Sequence, residues 1–266
     1  MNASVQQLSL CEMCSILNEK DFAHLHKELG CLDLRRISFG SSVCEKQLLF
    51  LQDKELNFLH GLAADMGAHL TLTIPCPRES LIDLVRQKVE HILTALPTCD
   101  EIVVNDWAMV DWFRHRMPQR TIVAGRLLCA YEHDPRMDNS DERCHEVVRI
   151  LKTHALRGMG IAEVDSLEPQ QIGISVPDIE VRYHWPAIML SSTKYCQYST
   201  EGLGATEFLH QYKHCKQQCQ QVYSHYSGHI TKFGRAIYAI VGPEVSPAVQ
   251  DHIIYWPINE YRELFV

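Results

Sequence analysis

Short apolar segments alternate with longer amphipathic segments along the chain up to about residue 165. The short segments are rich in β-branched residues and have the length of buried strands. The longer segments repeat apolar residues every three or four positions, which is the spacing of a helix with one buried face. This alternation predicts β/α units in which the strands run parallel and the crossovers are right-handed.

The pattern predicts both strands and helices at defined places. Strands are predicted at Val5–Leu10, Arg35–Gly40, Ala68–Pro75, Asp100–Asn105, Arg120–Gly125, Gly160–Val164, Ile179–Leu190 (broken by Pro186), Ala236–Val241 and His252–Tyr255. Helices are predicted at Asn18–Leu29, Asp53–Met66, Ser80–Leu96, Trp107–Met117 and Ser140–Leu156.

This number of strands in 266 residues fits an α/β fold of the TIM-barrel type, a (β/α) barrel that need not be regular or complete. A doubly wound open sheet is the alternative, but no GxGxxG motif follows the first strand. We therefore expect a single domain over residues 1–266, with a cysteine-bearing helical insertion at about 196–224.

Composition and charge exclude several classes of protein. The chain is 46% hydrophobic and 22% charged, as soluble globular proteins are. Its formal net charge of -8, without a basic stripe, argues against nucleic acid as the main partner. No apolar run reaches the roughly 20 residues that cross a bilayer. The N-terminus lacks the basic start and apolar core of a secretory signal, so we expect a cytoplasmic protein.

Eleven cysteines then become the most informative residues. In a reducing compartment thiols are metal ligands, nucleophiles or core residues rather than disulfides. Cys215 and Cys219 lie four residues apart in a stretch of helix formers from Thr206 to Ser224, which predicts a helix with both thiols on one face. Two thiols cannot complete a four-coordinate site, and Cys196 is the natural third ligand. The alternative is that these thiols only pack in the core, as small apolar side chains do.

A second cysteine motif, CEMC, follows the first predicted strand. Its thiols, Cys11 and Cys14, have the spacing of a redox-active pair or of half a metal site. The alternative is that both thiols merely pack at the end of the strand.

Polar residues follow several of the predicted strands at their carboxyl ends, where β/α barrels carry their chemistry. Asn105 and Asp106 end the fourth strand, and Arg126 follows the fifth. We expect these three residues to line a pocket. Asp106 has a simpler alternative role as the cap of the helix that begins at Trp107.

Two arginines are candidates for binding a carboxylate of a substrate, because a planar guanidinium binds carboxylates through two hydrogen bonds. They are Arg126 and Arg136. The alternative for Arg136 is a structural turn, with an ion pair, in the sequence Asp134-Pro135-Arg136.

Several segments, in their order along the chain, resemble one known family. The segments are ISFGSSVCEKQ, EIVVNDWAMV and AGRLLCAYEHDPR, followed by a distant cysteine, a CxxxC pair and the final strand DHIIYWP. This order is similar to that in the collagenase-like peptidase family, and within it to the UbiU/UbiV-like iron–sulfur proteins of oxygen-independent ubiquinone biosynthesis, most closely UbiV. The likeness covers most of residues 31–222.

The resemblance implies a TIM-barrel-like fold that holds a [4Fe–4S] cluster through four cysteines. These are Cys44, Cys196, Cys215 and Cys219, with Cys11 or Cys14 as the nearest substitute for Cys44. Cysteine thiolates are the usual ligands of such a cluster. Zinc also accepts four thiolates, so the residues alone leave iron–sulfur and zinc open.

The resemblance also implies a function, namely oxygen-independent hydroxylation of a small aromatic or quinone precursor. It implies a UbiU-like paralogous subunit as the partner in a heterodimer. Some relatives hydroxylate RNA, but the acidic balance of this chain favours a small-molecule substrate. Two alternatives are a non-catalytic scaffold subunit with zinc or a cluster, and a peptidase; no GxSxG or HExxH motif supports a peptidase.

Overall fold

Parallel strands close into an eight-stranded barrel in the computed structural model of the chain, and four further strands form a separate antiparallel sheet. The (β/α) barrel predicted from the sequence is thereby confirmed. The structure describes residues 7–11, 34–129, 149–153, 158–165, 177–200, 204, 215–217, 219, 224–227, 230–233, 235–240 and 253–256.

The barrel strands are neighbours in the order β1-β12-β7-β6-β5-β4-β3-β2. Their bounds are Gln7–Ser9 (β1), Arg36–Gly40 (β2), His69–Ile74 (β3), Cys99–Val104 (β4), Thr121–Ala124 (β5), Ile161–Asp165 (β6), Glu180–Trp185 (β7) and Ile253–Tyr255 (β12). The second sheet has the order β8-β11-β10-β9, with Ala187–Ser192 (β8), Ser224–Ser227 (β9), Ile230–Phe233 (β10) and Ala236–Ile240 (β11).

Helices lie between the strands, all but the last of them between strands of the barrel. They are Glu45–Phe50 (α1), Asp53–Met66 (α2), Ile82–Ala95 (α3, preceded by a 3-10 turn at Glu79–Leu81), Trp107–Arg116 (α4), Arg126–Cys129 (α5) and Gln197–Thr200 (α6); residues 149–153 are also helical. None of the helices within the described ranges has both the length and the apolar content that a membrane span requires.

The longer helices begin and end where the sequence predicts. The side chain of Gln52 and that of Glu55 form a reciprocal capping box at the start of α2. Gly67 ends the same helix in the left-handed conformation, with φ of 62°. One face of α2 and one face of α3 are buried against the outer surface of the barrel, where apolar strand residues such as Phe39 and Leu72 lie.

The interior of the barrel is polar, unlike the apolar interior that most such barrels have. Arg182 on β7 donates to both carboxylate oxygens of Glu101 on β4, at 2.7 and 3.1 Å. These strands are not neighbours, so the two side chains meet across the barrel. Gln7 on β1 likewise reaches Glu163 on β6 at 3.5 Å. Polar and apolar residues therefore alternate along the strands, with the polar ones turned inward.

Pro186 separates β7 from β8, and the Trp185–Pro186 peptide is cis. The strand predicted at Ile179–Leu190 is thus two strands, broken at the proline as predicted. From this point the chain leaves the barrel for the second sheet and returns only with β12.

The helix predicted around the CxxxC motif is wrong where the structure describes it. Residues 215–217 are not helical, and Gln217 has a φ of 59°, which an α-helix does not allow. Several short elements were not predicted: the helices α1, α5 and α6 and the strands β9 and β10. The predicted helix Asn18–Leu29 and most of Ser140–Leu156 lie outside the described residues.

A substitution at Gly40, at the end of β2, tests how closely β2 and β3 approach each other. Its φ is 103°, and a methyl group there would collide with the carbonyl oxygen of Thr73 on β3. We expect Gly40→Ala to lower the free energy of unfolding by more than about 2 kcal/mol, measured by urea denaturation.

Gly61→Ala is the matched control, because an added methyl group on this exposed position of α2 meets no atom within 4 Å. Alanine is the better helix former, so this variant should gain about 0.5–1 kcal/mol. A Gly40→Ala protein as stable as Gly61→Ala would contradict the close approach of β2 and β3.

Candidate functional site

The four cysteines that the resemblance singles out line one cavity, which we call the cysteine cavity. Its other lining residues are Lys46, Gln47, Arg78, Ser199, Gln217 and Arg235. Three of the four thiols are buried and that of Cys215 is half-buried. Residues far apart in the sequence therefore bring four thiols and three cationic side chains to one place.

Cys44 is held in the loop between β2 and α1. The hydroxyl of Ser41 accepts the backbone N–H groups of Val43 and Cys44, at 3.2 and 2.8 Å. The N–H of Ser41 in turn donates to the carbonyl of Thr73 at 3.1 Å, which fixes the loop to β3. The backbone that carries Cys44 is thus attached to the barrel at its carboxyl end.

Cys196 lies after β8 and begins the short helix α6. Its carbonyl accepts the N–H groups of Ser199 and Thr200, both at 3.1 Å, and their hydroxyls at 3.2 and 2.9 Å. These four bonds fix a tight turn around Cys196, and the turn directs Ser199 to the same cavity.

Cys215 and Cys219 reach the cavity without the predicted helix. The left-handed conformation of Gln217 turns the chain between them, and its backbone forms a hydrogen bond to the thiol of Cys215. Burial raises the pKa of the Cys215 thiol, and the neighbouring Cys196 adds to this, while Gln217 and Lys46 act in the opposite direction. Without a bound cation this thiol is therefore protonated at neutral pH.

A buried carboxylate lies between two of the arginines of the cavity. Glu45 is fully buried, and its oxygens lie 2.7 Å from Arg78 Nε and 2.6 Å from Arg235 Nη1. Arg235 also donates from Nε to the carbonyl of Thr193 at 2.7 Å and forms a hydrogen bond to Cys44. Burial opposes the charge of Arg235, but Glu45 and Cys44 outweigh it and raise the pKa.

The thiols share the cavity without converging on a single point. Among the residues that the structure describes, no three side chains of His, Cys, Asp or Glu lie close enough together to hold one metal ion. The four thiols thus line a common cavity without forming a ready-made site for a single ion.

Asn105 and Asp106 have structural contacts of their own. The amide of Asn105 donates to the carbonyl of Ile74 at 3.0 Å and accepts the N–H of Leu127 at 2.9 Å, so it joins β3 to α5. Asp106 caps α4 by accepting the N–H of Met109 at 3.1 Å, and it also accepts the thiol of Cys76 at 3.3 Å. The capping alternative for Asp106 is confirmed.

Arg126 lies at the carboxyl end of the barrel, which we call the barrel mouth, and is only 1% exposed. Its guanidinium carbon lies 5.0 Å from the ring centre of Trp256 and 5.9 Å from that of Tyr238. Its Nη2 lies 3.3 Å from an oxygen of Asp165, at the end of β6. Both flanking rings belong to the same buried cluster as Cys44, so the barrel mouth adjoins the cysteine cavity.

Sequence reasoning missed a buried pair beneath Arg126, formed by Glu163 and His184. His184 Nε2 lies 3.2 Å from the carboxylate of Glu163, and the indole N–H of Trp256 donates to His184 Nδ1 at 2.9 Å. The indole can only donate, so it fixes the proton of the neutral imidazole on Nε2. The signal in the sequence was the alternation of polar and apolar residues within IAEVD and EVRYHW.

The remaining predicted site residues separate into two groups. The thiol of Cys11 lies 3.2 Å from the hydroxyl of Thr73 and packs with Cys44 in one cluster, but it does not line the cysteine cavity. Cys14 and Arg136 lie outside the described residues.

Comparison with models of known protein families gives no match, and a search of curated proteins gives none either. The resemblance to the UbiU/UbiV-like proteins therefore stays a prediction.

Substitution of Glu45 tests whether its ion pairs stabilise the loops around the cysteine cavity. Glu45→Gln removes a buried charge that the buried guanidinium of Arg235 and the half-buried one of Arg78 share, so it should lower the free energy of unfolding by about 3–5 kcal/mol. Urea denaturation measures the loss. Glu79→Gln, an exposed carboxylate beside Arg78, is the control and should change stability by less than about 0.5 kcal/mol. Equal effects of the two substitutions would show that the ion pairs of Glu45 do not stabilise the fold.

Proposed function

We propose that this chain is a [4Fe–4S] protein of the UbiU/UbiV-like type that takes part in oxygen-independent hydroxylation. The substrate would be a small aromatic or quinone precursor, and a paralogous subunit would be the partner. The observation that carries the proposal is that Cys44, Cys196, Cys215 and Cys219 line one cavity.

The donor set fits a cluster in its chemistry. Each thiolate of a cubane cluster binds a different iron, so its ligands do not have to converge on one point. Zinc, with Zn–S bonds of about 2.3 Å in a tetrahedron, would need sulfurs within about 4 Å of one another. Four thiols that line one cavity without meeting at one point therefore support the cluster more than a single ion.

The charges around the cavity fit it as well. Four thiolates bring four negative charges, part of which the irons of a cluster would offset. Lys46 opposes the remainder, together with Arg78 and Arg235, which share the single negative charge of Glu45. Hydrogen bonds from Gln217 and Arg235 to the sulfurs of Cys215 and Cys44 stabilise the deprotonated forms. These residues would hold the ligands, and the cluster would supply the redox chemistry.

The neighbourhood of the cavity supports a reaction on a small molecule. Cys44 packs in one cluster with Tyr238 and Trp256, the two rings that flank Arg126. A molecule bound at the barrel mouth would then lie beside the redox centre, with buried Arg126 and Glu163 to orient it and to exchange a proton with it.

A scaffold subunit with a structural zinc is the second candidate, because four thiolates are also a common zinc ligand set. Metal content separates the two. We expect about four irons and four sulfides per chain in protein purified without oxygen, with the visible absorption of a cluster. The double variant Cys215→Ala, Cys219→Ala should lose the iron and sulfide.

Cys76→Ala is the matched control, because this half-buried thiol binds Asp106 and lies outside the cysteine cavity. It should keep the full iron content. A content of one zinc and no iron would favour the scaffold role over the cluster. The absence of both metals from wild-type protein would rule out both candidate functions.

The hydroxylation has a separate test in the cells that encode the chain. Deletion of its gene should lower the content of the hydroxylated quinone when cells grow without oxygen and leave it unchanged in aerated cells. The wild-type gene should restore the quinone, whereas the Cys215→Ala, Cys219→Ala gene should not. An equal loss in aerated cells would contradict an oxygen-independent role.

A further inference from the structure

The guanidinium of Arg126 is buried but not satisfied. Within the described part of the chain, none of its three nitrogens has a hydrogen-bond partner, although Nη2 is close to Asp165. A buried charged donor that lacks an acceptor is costly, and the cost is recovered only when an acceptor arrives. The side chain is therefore incomplete as it stands.

The groups that the structure describes around Arg126 leave its hydrogen-bond donors unused. Asp165 is its one ion-pair partner among the described residues, and the same oxygen that faces Arg126 also accepts the N–H of Met189 at 3.0 Å. Trp256 and Tyr238 contact the guanidinium as aromatic rings, which stabilise a cation but accept no strong hydrogen bond. The in-plane donors of the guanidinium remain available to a planar oxyanion.

Below Arg126 lies Glu163, whose charge opposes any anion at the barrel mouth. Burial raises the pKa of Glu163 from 4.5 to about 7, although Arg182, Arg126 and a hydrogen bond from Gln7 act in the opposite direction. Glu163 is therefore about half ionised at neutral pH.

The other groups around Glu163 keep one protonation state throughout the neutral pH range. Burial and the charge of Arg126 lower the pKa of His184 well below its usual range, and this imidazole stays neutral. Burial raises the pKa of Cys129 on α5, which stays a thiol. Arg126 and Arg182 keep their protons at any such pH. Glu163 is thus the group in this cluster that titrates near neutrality.

We infer that the barrel mouth is a proton-linked site for a small organic carboxylate, in which Arg126 binds the anion and Glu163 takes up a proton from solvent as it binds. The two charges of Glu163 and the ligand would otherwise repel each other in a buried environment. Protonation of Glu163 removes this repulsion and leaves the guanidinium to the ligand.

The coupling gives the affinity a definite pH dependence. Affinity for the carboxylate is highest when Glu163 is protonated, and it falls as the pH rises through about 7. The inference does not need a cluster in the cysteine cavity. Its test is therefore independent of the test of the proposed function.

Calorimetric titration of the full chain with sodium benzoate and with acetate, at about pH 6 and about pH 8, tests the site, because both probes are fully ionised at both values. We expect at least one of them to bind wild-type protein about threefold to tenfold more tightly at the lower pH. Benzamide, the neutral analogue of benzoate, should not bind.

Two variants separate the roles. Arg126→Gln should bind the carboxylate at least about tenfold more weakly at both pH values. Glu163→Gln should bind at about pH 8 as tightly as wild type does at about pH 6, with no remaining pH dependence. Such a gain of affinity cannot come from a misfolded protein. Arg114→Gln, at an exposed position on α4, is the control and should match wild type.

Binding of acetate alone would support the site and restrict it to small carboxylates, and binding of benzoate alone would support it for ligands with an apolar body. Four results would overturn the inference: no binding of either anion at tens of millimolar, equal binding of benzamide, unchanged affinity in Arg126→Gln, or a pH dependence that persists in Glu163→Gln.

Discussion

The geometry of the cysteine cavity depends on the ion pairs of one carboxylate, that of Glu45. Glu45 follows Cys44 directly, and its oxygens bind Arg78, after β3, and Arg235, before β11. Arg235 also binds the carbonyl of Thr193, three residues before Cys196. One buried anion thus joins the barrel to the second sheet and sets the spacing of two loops that carry thiols.

The barrel itself could be predicted because its signal is local and repeated. Apolar runs such as HLTLTI and CDEIVV alternate with amphipathic helices such as Asp53–Met66, and capping residues mark where those helices begin and end. In the second sheet β8 and β11 gave a signal of this kind, but β9 and β10 did not. These two strands are four residues each and polar in part. They are held by pairing, β9 with β10 and β10 with β11, rather than by a pattern of their own.

The site could be predicted only in part, for physical reasons. The family likeness selected four cysteines, and the fold brings them to one cavity, but the helix expected between Cys215 and Cys219 depended on propensity alone. Helix propensity is a weak preference that tertiary structure readily overrides, and here Gln217 adopts a left-handed conformation. Glu163 and His184 were missed because a polar residue within a strand indicates the interior of a barrel only after the strands are known to close.

The polar interior of the barrel also restricts the movement of protons. Hydrogen bonds and ion pairs run in series from Asp100 at the base through Arg36, Glu101, Arg182 and Gln7 to Glu163, and on through His184 to Trp256. The two arginines in this series never release a proton, so it transmits polarisation but cannot conduct protons. Hydrogen ions therefore cannot reach Glu163 from the base of the barrel along this series.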